Sequence, residues 1–299
     1  MRHRLPLWTR AFLGADRVLS RITAARLALR DEVMLAFVPP QQRADVCAAL
    51  YAPLDTYLPG GSRFEGGLFD WEEQALEDPS MPRSGRILVG ACGAGRELFA
   101  LQKRGFFVMG FDPCQPFVQA AQSHLDASKA QVMRASYDDF VKALQSRSGE
   151  FFERLKQAPF DAIFFGWGSF SHVLPKASRL ALLRASKSLA PKACLLLSFS
   201  MDLSPNPTKS GKGRARDSLR KLFRAMGAPG ISEDGDHFYP EGGFLANLRK
   251  EELYALAFEA GYRVAWLKSF PYPHALLLPL ELGESGGAGV KGSKPGRSW

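Results

Sequence analysis

Three groups of residues in this chain have the types and spacing to act on a ligand. The first is the stretch Arg86 to Glu97, RILVGACGAGRE. Ile87, Leu88 and Val89 make a short apolar run of the kind buried on both faces of a parallel sheet. Gly90, Gly93 and Gly95 follow, and a helical pattern opens at Glu97. A strand, a glycine-rich turn and a helix in that order let backbone N–H groups come close to a ligand. The second is Asp112, which closes another apolar run, Phe106 to Phe111. A carboxylate there suits a ribose diol, because both hydroxyls need an acceptor. The third is a set of proton carriers, His172, His237 and Tyr239, each just beyond an apolar segment or inside a loop-like one.

Two nucleoside-binding patterns compete for the turn. A dinucleotide fingerprint needs G-x-G-x-x-G/A. Counted from Gly93, its third small residue falls on Leu98, so that pattern fails at its helix-packing glycine. A ligand-free tight turn is the plainer reading. The remaining Gly93-x-Gly95 pair, with Asp112 closing the second strand, resembles class I S-adenosylmethionine (SAM)-dependent methyltransferases of the small-molecule type. The resemblance runs from about Gly85 to Leu280.

That resemblance implies SAM as cofactor and S-adenosylhomocysteine as product. It places Gly90, Ala91, Gly93 and Gly95 at the cofactor and Asp112 on its ribose. Pro113 and Phe117 match positions that lie against adenine or ribose. Ser136 stands where the family often has an aspartate for the adenine amino group, and Tyr137 is placed to stack on the base. Asp138 and Asp139 read as caps of the next helix. Gly166 and Trp167, after the fourth strand, face the methionine part, whose carboxylate needs a cation or N–H such as Arg63. Two positions depart from the family pattern. The acid common two residues before the first glycine is Val89, and that glycine itself is Ala91.

Methyl transfer from a sulfonium is an in-line displacement, so the protein must align the acceptor and take its proton when the acceptor is O–H or N–H. His172 is the first candidate base, with a backbone-bonded helix-start histidine as its alternative. His237 and Tyr239 are second candidates, with ordinary loop packing as theirs. Trp167 and Phe170 either shape an acceptor pocket or belong to the core.

The elements that must position these groups follow from pattern. Residues 9–37 and 41–51 read as helices ended by Pro39-Pro40 and by the loop-like Tyr57–Glu73. Strands are expected near 87–89, 106–111, 131–135, 159–166, 193–200, 262–270 and 274–280. Helices stand between them, and the hairpin-like ending fits the antiparallel last strand that the resemblance implies. The fold class is therefore α/β: a Rossmann-like, seven-stranded, mostly parallel sheet with helices on both faces and an N-terminal helical extension. The resemblance implies that residues 1–80 form a helical cap and 81–282 the SAM-binding domain, and composition marks 283–299 as a disordered tail. Within the domain, 201–240 breaks the pattern as a lid insertion: Pro205, Pro207, Gly211 and Gly213 give a flexible entry before a short basic helix.

Of 299 residues, 46% are hydrophobic, which is ample for a core, and the net charge is +9. The basic excess concentrates in 1–30, where seven arginines face Asp16 alone, and in 209–224, where seven Lys and Arg face Asp217 alone. Both read as solvated faces ahead of nucleic-acid binding, since no aromatic-interleaved basic patch is present. A membrane-surface helix is a rival for 9–37, ranked lower because Asp31 and Glu32 interrupt its basic face. No run is long enough to span a membrane, and no signal peptide is expected. Cys47, Cys92, Cys114 and Cys194 form no CxxC pair and no metal spacing, which suits a reduced, cytoplasmic protein without a bound metal. A redox role for Cys92 ranks below packing.

The expected function is methylation of a small-molecule acceptor at O or N, with specialised metabolites among the candidates. A nucleic-acid or peptide substrate, or a non-catalytic SAM-binding module, stands as the alternative. The sequence after the fourth strand, GWGS, lacks the N/D-P-P-Y/F tetrad of base-amino methylation.

Overall fold

The computed structural model describes residues 5–202, 211–230 and 232–280. The tail expected at 283–299 and the entry at Pro205 and Pro207 lie outside the described residues. Four helices come first: α1 (Leu7–Phe37), α2 (Arg43–Tyr51), α3 (Ser62–Glu65) and α4 (Asp70–Leu76). The stretch 57–73, expected as loop, thus holds a short helix and the start of another. Asp70, Glu72 and Glu73 in the first turn of α4 favour it electrostatically.

The α/β core follows. Strand β1 (Arg86–Gly90) leads through α5 (Arg96–Lys103) to β2 (Phe107–Asp112), and α6 (Gln115–His124) leads to β3 (Ala130–Arg134). Helices α7 (Tyr137–Ser146) and α8 (Glu150–Leu155) precede β4 (Ala162–Phe165), and α9 (Lys176–Leu189) precedes β5 (Cys194–Ser198). Next come β6 (Ser200–Met201), α10 (Gly211–Ala225), β7 (Asp236–Tyr239) and β8 (Gly243–Leu248). Helix α11 (Lys250–Glu259) and strands β9 (Tyr262–Lys268) and β10 (His274–Pro279) close the described chain.

Seven strands form one sheet in the order β3-β2-β1-β4-β5-β10-β9. The five on the β3 side are parallel, and β10 runs antiparallel to both β5 and β9. Successive side chains of each central strand enter opposite layers, which is why these strands read as unbroken apolar runs. Ile87 and Val89 pack with Trp71, Leu98 and Leu101 on one face, while Leu88 joins Phe111, Phe140 and Leu182 on the other.

The order reverses at β1, and there the carboxyl ends of three strands meet, with Gly90 level with both Phe111 and Phe165. Such a reversal opens a crevice beyond the strand ends. Over it sits a second, three-stranded sheet in the order β6-β8-β7. The segment after β5 therefore carries a β-hairpin as well as the expected basic helix, and its last strand runs beyond residue 240 to Leu248. Alternating burial along β8, with Phe244, Ala246 and Leu248 fully inside, is the physical cause.

Candidate functional site

The crevice is a cavity of about 830 Å³. Its floor is the bend after β1. Ala91 and Gly93 both hold left-handed backbone, with φ of 51° and 54°, which turns the chain sharply and faces it into the cavity. Asp112, at the end of β2, closes this bend. Its Oδ2 accepts from the Gly93 N–H at 2.8 Å and its Oδ1 from the Cys114 N–H at 2.8 Å. Each carboxylate oxygen keeps a further lone pair for a ligand hydroxyl. Burial pushes the Asp112 carboxyl up to about 6, against the two N–H groups that favour its charge.

The other residues expected at the cofactor divide into those that line the cavity and those that shape it from below. Arg63, Pro113, Phe117, Ser136, Tyr137, Gly166 and Trp167 line it together with Ala91, Gly93 and Asp112. The Arg63 guanidinium lies over the Trp167 ring, 5.1 Å from its centre. Gly90 and Gly95 do not line it. A Cβ at Gly90 would come within 2.8 to 2.9 Å of Tyr137, Phe111 and Phe165. Gly95, at φ 91°, faces Ala121 of α6. Their small size therefore serves packing beneath the bend.

The turn after β3 distributes its polar groups differently from expectation. Ser136 caps α7: its Oγ donates to Asp139 Oδ2 at 2.7 Å and accepts from the Asp139 N–H at 3.1 Å. Asp138, read as a cap, instead lines the cavity. The Tyr137 ring meets Phe111 and Phe165 edge-on, and its hydroxyl pairs with Ser169 Oγ at 2.9 Å. That ring belongs to the cavity floor.

A buried ionic cluster forms another wall. Arg96 holds Glu72 with both terminal nitrogens, at 2.7 and 2.8 Å, and reaches Glu97 at 2.6 Å. Two carboxylates share one guanidinium, and burial, reinforced by Glu97, raises the Glu72 carboxyl. Glu97 also lines the cavity, and a Cβ at Gly166 would stand 2.6 Å from its Oε1. Sequence reading missed Glu97 as a site residue. Its signal was an acid just after the glycine turn, which a helix N-terminus explains equally well.

Of the proton carriers, His172 lines the cavity and the other two do not. It ends a short 3-10 turn, Ser169–His172, after β4. Its Nδ1 lies 2.9 Å from the Phe244 carbonyl of β8. A carbonyl only accepts, so Nδ1 carries the proton and Nε2 is left with a lone pair. Burial drives the imidazole down to about 4, so it is neutral at pH 7. Tyr51 packs edge-on against the ring, and Cys47 Sγ lies 4.0 Å from Nδ1. Burial pushes that thiol up to about 11. His237 turns its Nδ1 to the Gly235 carbonyl at 2.8 Å, and Tyr239 is half exposed; both sit on β7, which packs against α1. All four cysteines are free and buried, and Cys92 lies against Gly110 under the bend.

No family model matches this sequence, and no curated protein matches it. Solved structures do match in fold. The CcbJ methyltransferase from Streptomyces caelestis is 14% identical, with a TM-score of 0.50 over 77% of this chain and 96% of that one. The PH0226 protein from Pyrococcus horikoshii OT3 is 16% identical, with a TM-score of 0.50 over 77% of this chain and 98% of that one. Together with the strand order, these place the chain in the Rossmann-like fold of class I methyltransferases.

Proposed function

We propose that this chain is a SAM-dependent methyltransferase that moves a methyl group to an O or N of a small-molecule acceptor. One observation carries the reading: a buried carboxylate, Asp112, anchored on the glycine bend and facing a cavity at the switch point of the sheet. When bound, SAM supplies a methyl already activated by its positive sulfur. Asp112 accepts both ribose hydroxyls, and Asp138 faces the adenine end. Arg63 takes the methionine carboxylate. Glu97, beside Gly166, takes the ammonium and fills the place left by Val89, where related enzymes carry an acid.

His172 then stands at the acceptor end, between β4 and β8. With SAM bound, methyl transfer to the acceptor would release the sulfonium as a neutral thioether, and His172 Nε2 would take the acceptor proton. Neutral imidazole at physiological pH is the form this step requires. Cys47 of α2 and Leu245 and Asn247 of β8 line the same cavity, together with Arg43, whose guanidinium lies over the Phe244 ring.

Calorimetry with S-adenosylhomocysteine tests the reading. Micromolar binding that is lost in Asp112→Ala supports it. No binding by the wild type, or undiminished binding by the variant, removes it. A screen of amine and hydroxyl acceptors with labelled SAM then separates an enzyme from a binding module.

A further inference from the structure

Helix α1 carries a feature that the cavity does not use. Apart from Thr9, every residue from 5 to 27 is exposed, so about six turns of the helix stand free of the body. The exposed residues are not polar. Leu7, Trp8 and Phe12 are 81%, 72% and 65% exposed, and Val18, Leu19 and Ile22 continue the same broad side of the helix. Arg10, Arg17 and Arg21 lie together along another side, and Arg26 stands within the apolar stripe. Against them this stretch has only Asp16. A contiguous apolar surface of this size on a free helix marks an interaction site.

The two acids that interrupt the basic pattern in the sequence are accounted for inside the molecule. Glu32 is 1% exposed and accepts from Arg220 Nε at 2.8 Å, with Arg216 at 3.4 Å. Asp31 pairs with Arg30 at 3.0 Å and with Arg216 at 3.5 Å. They pin α1 to α10. Arg10, Arg17, Arg21, Arg26, Lys221 and Arg224 form no ion pair with another described residue. Helix α10, whose Phe223 meets Phe37 of α1 edge-on, extends the surface with exposed Leu222 and, just past its end, Met226.

We infer that α1, with the outer side of α10, is a docking surface for an anionic lipid bilayer, on which α1 lies in the plane of the interface. Leu, Trp, Phe and Ile enter the acyl boundary, and the arginines meet lipid phosphates. Arg26 reaches the headgroups from within the stripe by extending its stem along apolar surface. Charge complementarity decides between a bilayer and a second copy of this chain. Pairing two copies through the stripe would enclose Arg26 of each copy in the apolar contact as a buried charge with no described acid to pair it, whereas at a bilayer the same side chain reaches phosphate.

Flotation of the full chain with vesicles tests this. The chain should float with equimolar phosphatidylcholine and phosphatidylglycerol, stay behind with phosphatidylcholine alone, and be released in about 0.5 M salt, where charge is screened within a few ångströms. Arg17→Gln and Arg21→Gln should each weaken partitioning about fivefold. Phe12→Glu with Ile22→Glu should abolish it without changing the thermal midpoint, since both residues are exposed. Failure to float with anionic vesicles overturns the inference, as does equal floating with neutral ones. A dimer by light scattering that the double glutamate variant converts to monomer also overturns it, by making the stripe a self-interface. None of these readouts depends on cofactor binding.

Discussion

His172 Nδ1 donates to the Phe244 carbonyl at 2.9 Å, so a residue of β8 sets the tautomer of the ring that follows β4. The smaller sheet and the larger one meet at this bond. It leaves Nε2 as the only proton acceptor on the ring.

Replacing that acceptor gives the first prediction. His172→Asn should lower kcat by about 10² to 10⁴, the usual worth of a positioned base, and leave homocysteine-product affinity unchanged. Because the imidazole is held down to about 4 by burial, kcat in the wild type should show no inflection between pH 6 and 7. Steady-state kinetics across pH check both. A fall in product affinity as large as the fall in kcat would assign His172 a structural role.

Asp112 should make cofactor binding pH-dependent. Its carboxyl titrates at about 6 because burial disfavours charge. Above that value it would accept both hydroxyls of a bound ribose, and below it a proton would occupy one acceptor. Affinity for S-adenosylhomocysteine should therefore weaken about tenfold from pH 7 to pH 5. Asp112→Asn should bind about a hundredfold more weakly at pH 7 and lose this dependence, since charge-assisted hydrogen bonds are each worth about 1.5–3 kcal/mol. Calorimetry at three pH values reads both effects.

The Arg96 cluster should behave as a buried ion pair does when broken. Arg96→Met leaves Glu72 and Glu97 without their shared cation, at a cost of about 3–5 kcal/mol. The Glu72 carboxyl is raised by burial in the folded state, so its contribution to stability is present when it is protonated and is lost as pH rises through the folded value. The penalty should thus be larger at pH 8 than at pH 5. Urea unfolding of both proteins at the two values decides it.

The bend itself holds one residue at odds with its backbone. Ala91 sits at φ 51°, a conformation that costs a side-chain-bearing residue about 1 kcal/mol. Ala91→Gly should leave stability level or raise it by up to about 1 kcal/mol. Gly95→Ala, at φ 91° with Ala121 3.0 Å from the added Cβ, should cost about 1–3 kcal/mol. Thermal melts of the two variants should shift differently, with the Gly95→Ala midpoint falling clearly.

The sequence by itself determined the seven-stranded sheet, the glycine bend after its first strand and the carboxylate that closes that bend. Those signals are local: apolar runs of strand length, glycines where the chain must turn left-handed, and an acid at a strand end. Residues adjacent in sequence express them whatever the rest of the chain does. Tertiary structure decided what depended on contacts between distant segments. It set His172 into the cavity and His237 outside it, because the hairpin β7–β8 folds back over the strand ends. It turned Asp138 inward while Asp139 bonded Ser136, and helical periodicity alone does not distinguish those two neighbours. It also paired Glu32 with Arg220 across a long stretch of chain, so that the acids which had argued against a membrane-facing helix became the latch holding that helix to the body.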